Sequence, residues 1–139
     1  MKKLRILLIL TSILFSKFSF ADVEKINNEQ LKNLIGSKAI PLIDIRTPKE
    51  WLETGVIKGS HLITFFDENG KFNLDEWLPK LEKIVDKKDP FILICRSGRR
   101  SSLVAMFLDK ELSYKEILDA TDGMREWKKA NNLTIHPKL

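Results

Sequence analysis

Apolar and polar residues alternate along the chain in short blocks. The densest block, Phe91-Ile92-Leu93-Ile94, follows Pro90 and reads as a strand buried on both faces. A polar stretch from Cys95 to Ser102 separates it from Leu103-Val104-Ala105-Met106-Phe107-Leu108, which predicts a helix over 101–112. Upstream, Val23 to Ile26 is a short candidate strand. Asn27, with Gln30 three residues on, opens a helix through Ile35 that Gly36 can end. Ala39 to Ile45 predicts a strong strand. Thr47, Pro48 and Glu50 then stand as N-cap, N1 and N3 of a short helix stopped near Gly55. His61 to Thr64 is another short strand. Asn73 to Glu76 opens a helix to about Val85, with Leu74, Leu78, Leu81 and Val85 on one face. Pro79 inside it is expected to distort or restart it. Lys83 to Asp89 reads as a solvated connection, Glu116 to Asp119 as the last strand, and Gly123 to Asn131 as the last helix.

Strand and helix signals in alternation predict an α/β domain with a mostly parallel sheet and helices on both faces. At 139 residues one such domain can bury a core without disulfides or metal. Ligands of such sheets bind beyond the carboxyl ends of the strands. Cys95, Asp44 with Arg46, and Asp119 to Asp122 all fall at such ends.

Composition changes this picture at the N-terminus. The formal charge of +5 includes Lys2, Lys3, Arg5 and Lys17, and residues 1–21 contain no acid. Without them 20 basic residues face 19 acidic ones, which removes the argument for nucleic acid or an anionic membrane as partner. The same segment has a basic start, an apolar run from Ile6 to Phe15, and Ser19-Phe20-Ala21 with small residues where a signal peptidase reads. The expectation is a cleaved export signal over 1–21, a domain over 22–139 and a periplasmic location. The alternative is an uncleaved leader anchoring the chain in the inner membrane, although the apolar run is short of the roughly 20 residues a span requires. The absence of cysteine near the cleavage region argues against a lipoprotein.

Cys95 is the sole cysteine, so no intramolecular disulfide can occupy it, and the thiol is expected to be free to react. A lone cysteine closing an apolar strand is ordinarily a small buried hydrophobe. Here the order strand, Cys95, Gly98, Arg99-Arg100, Ser101-Ser102, helix points to a reactive thiolate instead. A tight strand-to-helix loop turns backbone N–H groups toward its centre, the helix N-terminus adds partial positive charge, and Arg96, Arg99 and Arg100 add full charges. Gly98 permits the positive φ such a loop needs. Arg96 and Arg99 should face outward toward an incoming anion. Arg100 should hold the loop's shape through backbone carbonyls or a carboxylate. Arg46 and Glu50 are expected to form a structural ion pair that braces the turn after Asp44. His61 and His136 are expected to be structural or solvated.

Cys95-x-x-Gly98-x-Arg100 followed by serine resembles the active-site loop of rhodanese (sulfurtransferase) domains. Asp44 to Ser60 is similar to that family's first motif, and Asp122-Gly123-Met124-Arg125-Glu126-Trp127 to its terminal one. Val56 stands where the family often has histidine, and Asp122 where it often has a first glycine; small packing differences are expected from both. The resemblance implies a single domain with a five-stranded sheet and no cofactor or metal. It also implies a two-step reaction. The Cys95 thiolate takes the outer sulfur of a thiosulfate-like anion to form a persulfide, and cyanide or a thiol then removes that sulfur. Ser97, Gly98 and the loop arginines would bind substrate. A protein sulfur acceptor is an alternative partner, and a persulfide carrier or binding module an alternative role.

Phosphatases and arsenate reductases related to this family cradle a tetrahedral oxyanion with Cys-x5-Arg. The spacing here is Cys-x4-Arg, a tighter loop that suits sulfur better than phosphate.

Overall fold

The computed structural model describes residues 23–37 and 40–139. The proposed leader, 1–21, and Ala39, where the second strand was expected to start, lie outside the described residues. Two capping boxes set the first half of the domain. Asn27 Oδ1 accepts from the Gln30 amide and Gln30 Oε1 from the Asn27 amide, both at 2.9 Å, which starts α1 (Asn28–Gly36) after β1 (Glu24–Ile26). The same reciprocal pattern between Thr47 and Glu50 starts α2 (Pro48–Thr54) after β2 (Leu42–Asp44). Then follow β3 (His61–Leu62), α3 (Leu74–Glu82), β4 (Phe91–Ile94), α4 (Arg99–Leu112), β5 (Ile117–Ala120) and α5 (Gly123–Lys129).

The five strands form one parallel sheet in the order β1-β5-β4-β2-β3. β4 lies at its centre, with Leu93 opposite Asp119 of β5 and Ile43 of β2. All four β4 residues are fully buried, as an uninterrupted apolar run requires when helices cover both faces. Side chains alternate across the sheet. Ile43, Phe91, Leu93 and Ile117 pack with Trp77 and Leu81 of α3 and Val104 and Leu108 of α4. Leu42, Ile92, Ile94 and Leu118 pack with Leu31 of α1 and Met124 and Trp127 of α5. The alternation puts Cys95 on the α3–α4 side.

Three readings need correction. The second and third strands are shorter than expected, ending at Asp44 and Leu62, although single backbone hydrogen bonds continue past them, from Ile45 N–H to the Ile94 carbonyl and from Phe65 N–H to the Ile45 carbonyl. Pro79 does not interrupt α3. It removes one amide donor, yet the helix continues to Glu82 under the packing of Trp77 and Leu81, and Trp77 Nε1 donates to the Ile63 carbonyl at 3.1 Å. Trp77 rather than Leu74 or Leu78 fills the centre of that face; both leucines are only half-buried.

The third correction concerns Arg46. It does not pair with the Glu50 carboxylate. Its guanidinium, 1 % exposed, lies against Asp44, with Nε donating to Oδ1 at 2.9 Å and Nη2 to Oδ2 at 2.6 Å. Its remaining N–H groups reach Thr54 Oγ1 (2.6 Å), the Gly55 carbonyl (2.9 Å) and, more distantly, the Glu50 carbonyl (3.5 Å). The fork is saturated, and it ties the end of β2 to the end of α2.

Asp44→Ala should therefore strand a buried guanidinium without its counter-ion and cost about 3–5 kcal/mol. Urea denaturation measures it. A loss below about 1 kcal/mol would show that Thr54 and Gly55 hold Arg46 unaided.

Candidate active site

The carboxyl end of β4 runs into a six-residue loop, Cys95 to Arg100, whose last two residues already belong to α4. The helix therefore starts two residues before the expected Ser101. Gly98 takes φ 83°, and a Cβ there would stand 2.1 Å from the Thr121 carbonyl oxygen. Gly123 takes φ 64°, and a Cβ there would stand 2.6 Å from the Arg96 carbonyl oxygen. The loop and the β5–α5 turn thus approach so closely that each presents a glycine to the other's backbone. The first amides of α5 complete the clasp: Met124 N–H donates to the Cys95 carbonyl and Arg125 N–H to the Arg96 carbonyl, both at 2.9 Å. With those carbonyls held toward α5, the Gly98 N–H points into the loop and donates to Cys95 Sγ at 3.2 Å. Ser101 Oγ donates to the Gly98 carbonyl at 3.1 Å. Behind the loop, Ser102 Oγ donates to Oδ2 of Asp119, a fully buried carboxylate.

The arginines divide as expected, with one new partner. Arg96 and Arg99 are exposed, as is Ser97, and neither arginine makes a side-chain hydrogen bond or ion pair among the described residues. Arg100 instead grips Glu50 through two hydrogen bonds, Nη1 to Oε2 at 2.9 Å and Nη2 to Oε1 at 2.6 Å. This carboxylate is what fastens the loop's end to α2. Burial pushes the Glu50 carboxyl up, but hydrogen bonds from Arg100 and the Thr47 amide outweigh it and hold the group below its ordinary value. Arg100 is raised in turn, chiefly by its hydrogen bonds to Glu50 and against the effect of burial.

Two depressions meet at this rim, sharing Arg96 and Glu50. One, about 320 Å³, lies between α2 and α5 and includes Thr54, Met124, Arg125 and Lys128. The other, about 720 Å³ and more open, includes Lys49, Phe66, Ser97, Arg99 and Leu103. Cys95 itself forms no disulfide, is fully buried and lines neither depression, so the sulfur is not freely reachable as expected from the sequence. His61 and His136 are exposed and line neither depression.

Arg96, Ser97, Arg99 and Arg100 are thus brought to one mouth, with Glu50 at its edge, while Cys95 and Gly98 are buried in the loop behind it. Asp44 and Arg46 form the knot that sets α2. The clasp by α5 amides, the Ser102–Asp119 contact and Lys128 were not singled out from the sequence. Gly123 was the available signal for the clasp, since it opens a helix where most residues would serve. The two departures from the resembling family also find places. Asp122 has φ −72°, so no glycine is required there, and its carboxylate accepts from the Asn28 amide at 2.8 Å, capping α1. Val56 is buried and pairs with Ile135 of the C-terminal segment.

The rhodanese-like domain model matches residues 27–130. A Schizosaccharomyces pombe protein named "Putative thiosulfate sulfurtransferase, mitochondrial" is 31% identical over 119 residues, covering 84% of this chain and 82% of that protein. A Mycobacterium tuberculosis protein named "Putative thiosulfate sulfurtransferase SseA" is 28% identical over 115 residues; the match covers 70% of this chain but only 39% of that longer protein. Among solved structures, a rhodanese-related protein from Thermoplasma volcanium superposes with a TM-score of 0.62 at 25% identity, covering 82% of this chain and 99% of the other. A rhodanese-like domain protein from Staphylococcus aureus gives 0.57 at 26% identity, with coverage of 76% and 91%. The parallel sheet, the cysteine loop clasped by its last helix, and the family model spanning most of the domain agree, and the chain belongs to the rhodanese-like domain family.

Proposed function

We propose that the chain is a sulfurtransferase that carries sulfane sulfur on Cys95, from thiosulfate or a similar anion to cyanide or a thiol. The observation that carries this reading is the Gly98 amide directed at Cys95 Sγ beneath two arginines, Arg96 and Arg99, that have no partner of their own among the described residues. Relatives named as thiosulfate sulfurtransferases support it.

In the first step the Cys95 thiolate attacks the outer sulfur of thiosulfate. The sulfur–sulfur bond of the donor breaks, its electron pair leaves with sulfite, and Cys95 keeps a persulfide anion. Sulfite is a good leaving group, and attack by the thiolate form needs no general base in the same step. The anionic persulfide rests on preorganised donors, of which the Gly98 amide is one. In the second step the acceptor attacks the terminal sulfur and the electron pair returns to Sγ. Arg96 and Arg99 draw the donor dianion to the mouth. Because Cys95 is fully buried, donor access requires the loop around it to open.

Cys95→Ser should abolish thiosulfate:cyanide transfer while leaving the domain folded, and thiosulfate should no longer add one sulfur atom to the intact mass. Thiocyanate formation by the folded serine variant at the wild-type rate would refute the persulfide route.

Arg96→Gln and Arg99→Gln should each lower kcat/KM for thiosulfate by about three- to tenfold at low salt, less at high salt, with little change in melting temperature. Arg100→Gln should cost stability as well as rate, because Glu50 loses its partner. The folded-state value of Glu50 is depressed, so its contribution to stability is full above the ordinary glutamate value and is lost as pH falls through the lowered one. The stability gap between wild type and Arg100→Gln should therefore close on acidification. Melting curves against pH and thiosulfate kinetics on all three variants check both roles; equal thiosulfate use at low salt by wild type and the Arg96 and Arg99 variants would show that backbone amides alone hold the donor.

Export is proposed on the pattern of residues 1–21. Protein recovered from the cell envelope should begin at Asp22, and a full-length chain embedded in the inner membrane would overturn cleavage.

A further inference from the structure

The two depressions at the mouth differ in what they offer. The open one mixes Lys49 and Arg99 with Asp67 and Glu68. The narrower one, between α2 and α5, brings Arg96, Arg125 and Lys128 to one side, with Glu53 as the sole carboxylate there besides Glu50. Glu50 is already neutralised by Arg100, which lies outside this cleft. Arg125 shares Glu126 with Lys129, whereas Arg96 and Lys128 have no partner among the described residues. Arg46 at the cleft's inner edge is saturated by Asp44, Thr54 and Gly55 and adds shape rather than a free donor. Met124 supplies an apolar wall. At about 320 Å³ the cleft is at the small end of ligand pockets, which run from about 300 to 1,000 Å³.

A thiosulfate ion is much smaller than this cleft, and the Cys95 loop with Arg96 and Arg99 suffices for it. The second substrate of a two-step transfer must reach the same sulfur from a position that leaves the loop intact. We infer that the α2–α5 cleft is the acceptor subsite and selects small thiols that carry carboxylates, with Arg125 and Lys128 as the residues that recognise them; this rests on the sulfurtransferase reading above. The acceptor's carboxylates lie toward Arg125 and Lys128, its carbon chain along Met124, and its thiolate toward Arg96 and the persulfide. The acceptor thiol passes its proton to the outer sulfur of the Cys95 persulfide anion, and the resulting thiolate attacks that sulfur. A sulfur–sulfur bond forms in the acceptor, the Sγ–sulfur bond breaks, and its electron pair returns to Sγ as thiolate. The proton stays on the transferred sulfur, so the acceptor leaves as a persulfide and no oxidant or reductant is consumed.

The test uses the mature protein and compares mercaptosuccinate, which carries two carboxylates, with neutral 2-mercaptoethanol. Loading with thiosulfate is verified first by the gain of one sulfur atom in the intact mass. If the wild type does not load, the sulfurtransferase reading fails and this inference falls with it. If it loads, the ratio of kcat/KM for mercaptosuccinate to that for 2-mercaptoethanol is measured in wild type, Arg125→Gln/Lys128→Gln and Lys128→Arg. Comparing this ratio between variants cancels the intrinsic reactivity of each thiol. The ratio should fall about tenfold in the double glutamine variant, be largely retained in Lys128→Arg, and shrink toward the variant's value as salt is raised on the wild type. An unchanged ratio in a loaded double variant overturns the acceptor subsite. So does a double variant whose loss falls on thiosulfate loading with the thiol ratio intact, because the cleft would then serve the donor.

Discussion

The whole site depends on where two backbone carbonyls go. A strand that ends in a tight loop leaves polar groups which cannot be buried without partners. Here the carbonyls of Cys95 and Arg96 are taken by the first amides of α5, and the Gly98 amide turns inward to the sulfur. That arrangement requires α5 to begin within van der Waals distance of the loop. Gly98 and Gly123 are the consequence, since any Cβ at either position would overlap the opposing backbone. The terminal Asp122–Trp127 stretch is thus as much a part of the active site as the cysteine loop is, although it contributes no side chain to the sulfur.

Charge is organised around the same loop in two grades. Buried or half-buried pairs are structural: Arg46 with Asp44 sets α2 against the sheet, and Arg100 with Glu50 fastens the loop to α2. Solvent-facing cations, Arg96 and Arg99, have no side-chain partner among the described residues. The division follows from burial. A guanidinium out of water must have its partners built in, whereas an exposed one can exchange water for a substrate oxygen at small cost. One arginine-rich loop therefore holds both its own fastening and two exposed cations.

Much of the domain was legible because its signals are local. The capping boxes at Asn27 and Thr47 and the apolar run Phe91–Ile94 depend on spacing of a few residues and stand where the spacing put them, and the helix after that run differs only in starting two residues early. The same parity that alternates core residues across the sheet placed Cys95 at a carboxyl end facing α4. The outward direction of Arg96 and Arg99 follows from a loop too short to hide them.

What spacing could not decide was partnership across the sheet. Glu50 lies four residues from Arg46, a natural pair on sequence grounds, yet Asp44 sits beside Arg46 on the buried side and satisfies it, and Glu50 turns to Arg100, fifty residues away. Pro79 predicts a break that the packing of Trp77 and Leu81 overrides. The placement of Lys128 and Arg125 at the mouth, and the buried Ser102–Asp119 contact behind the loop, arise only when β5 lies beside β4 and α5 closes over their ends. Sequence by itself determined the elements, the position of Cys95 at the end of the central strand and the family, because each is written in contiguous residues. Tertiary structure alone chose the partners, because a buried charge is satisfied by whichever group the chain brings within hydrogen-bond reach.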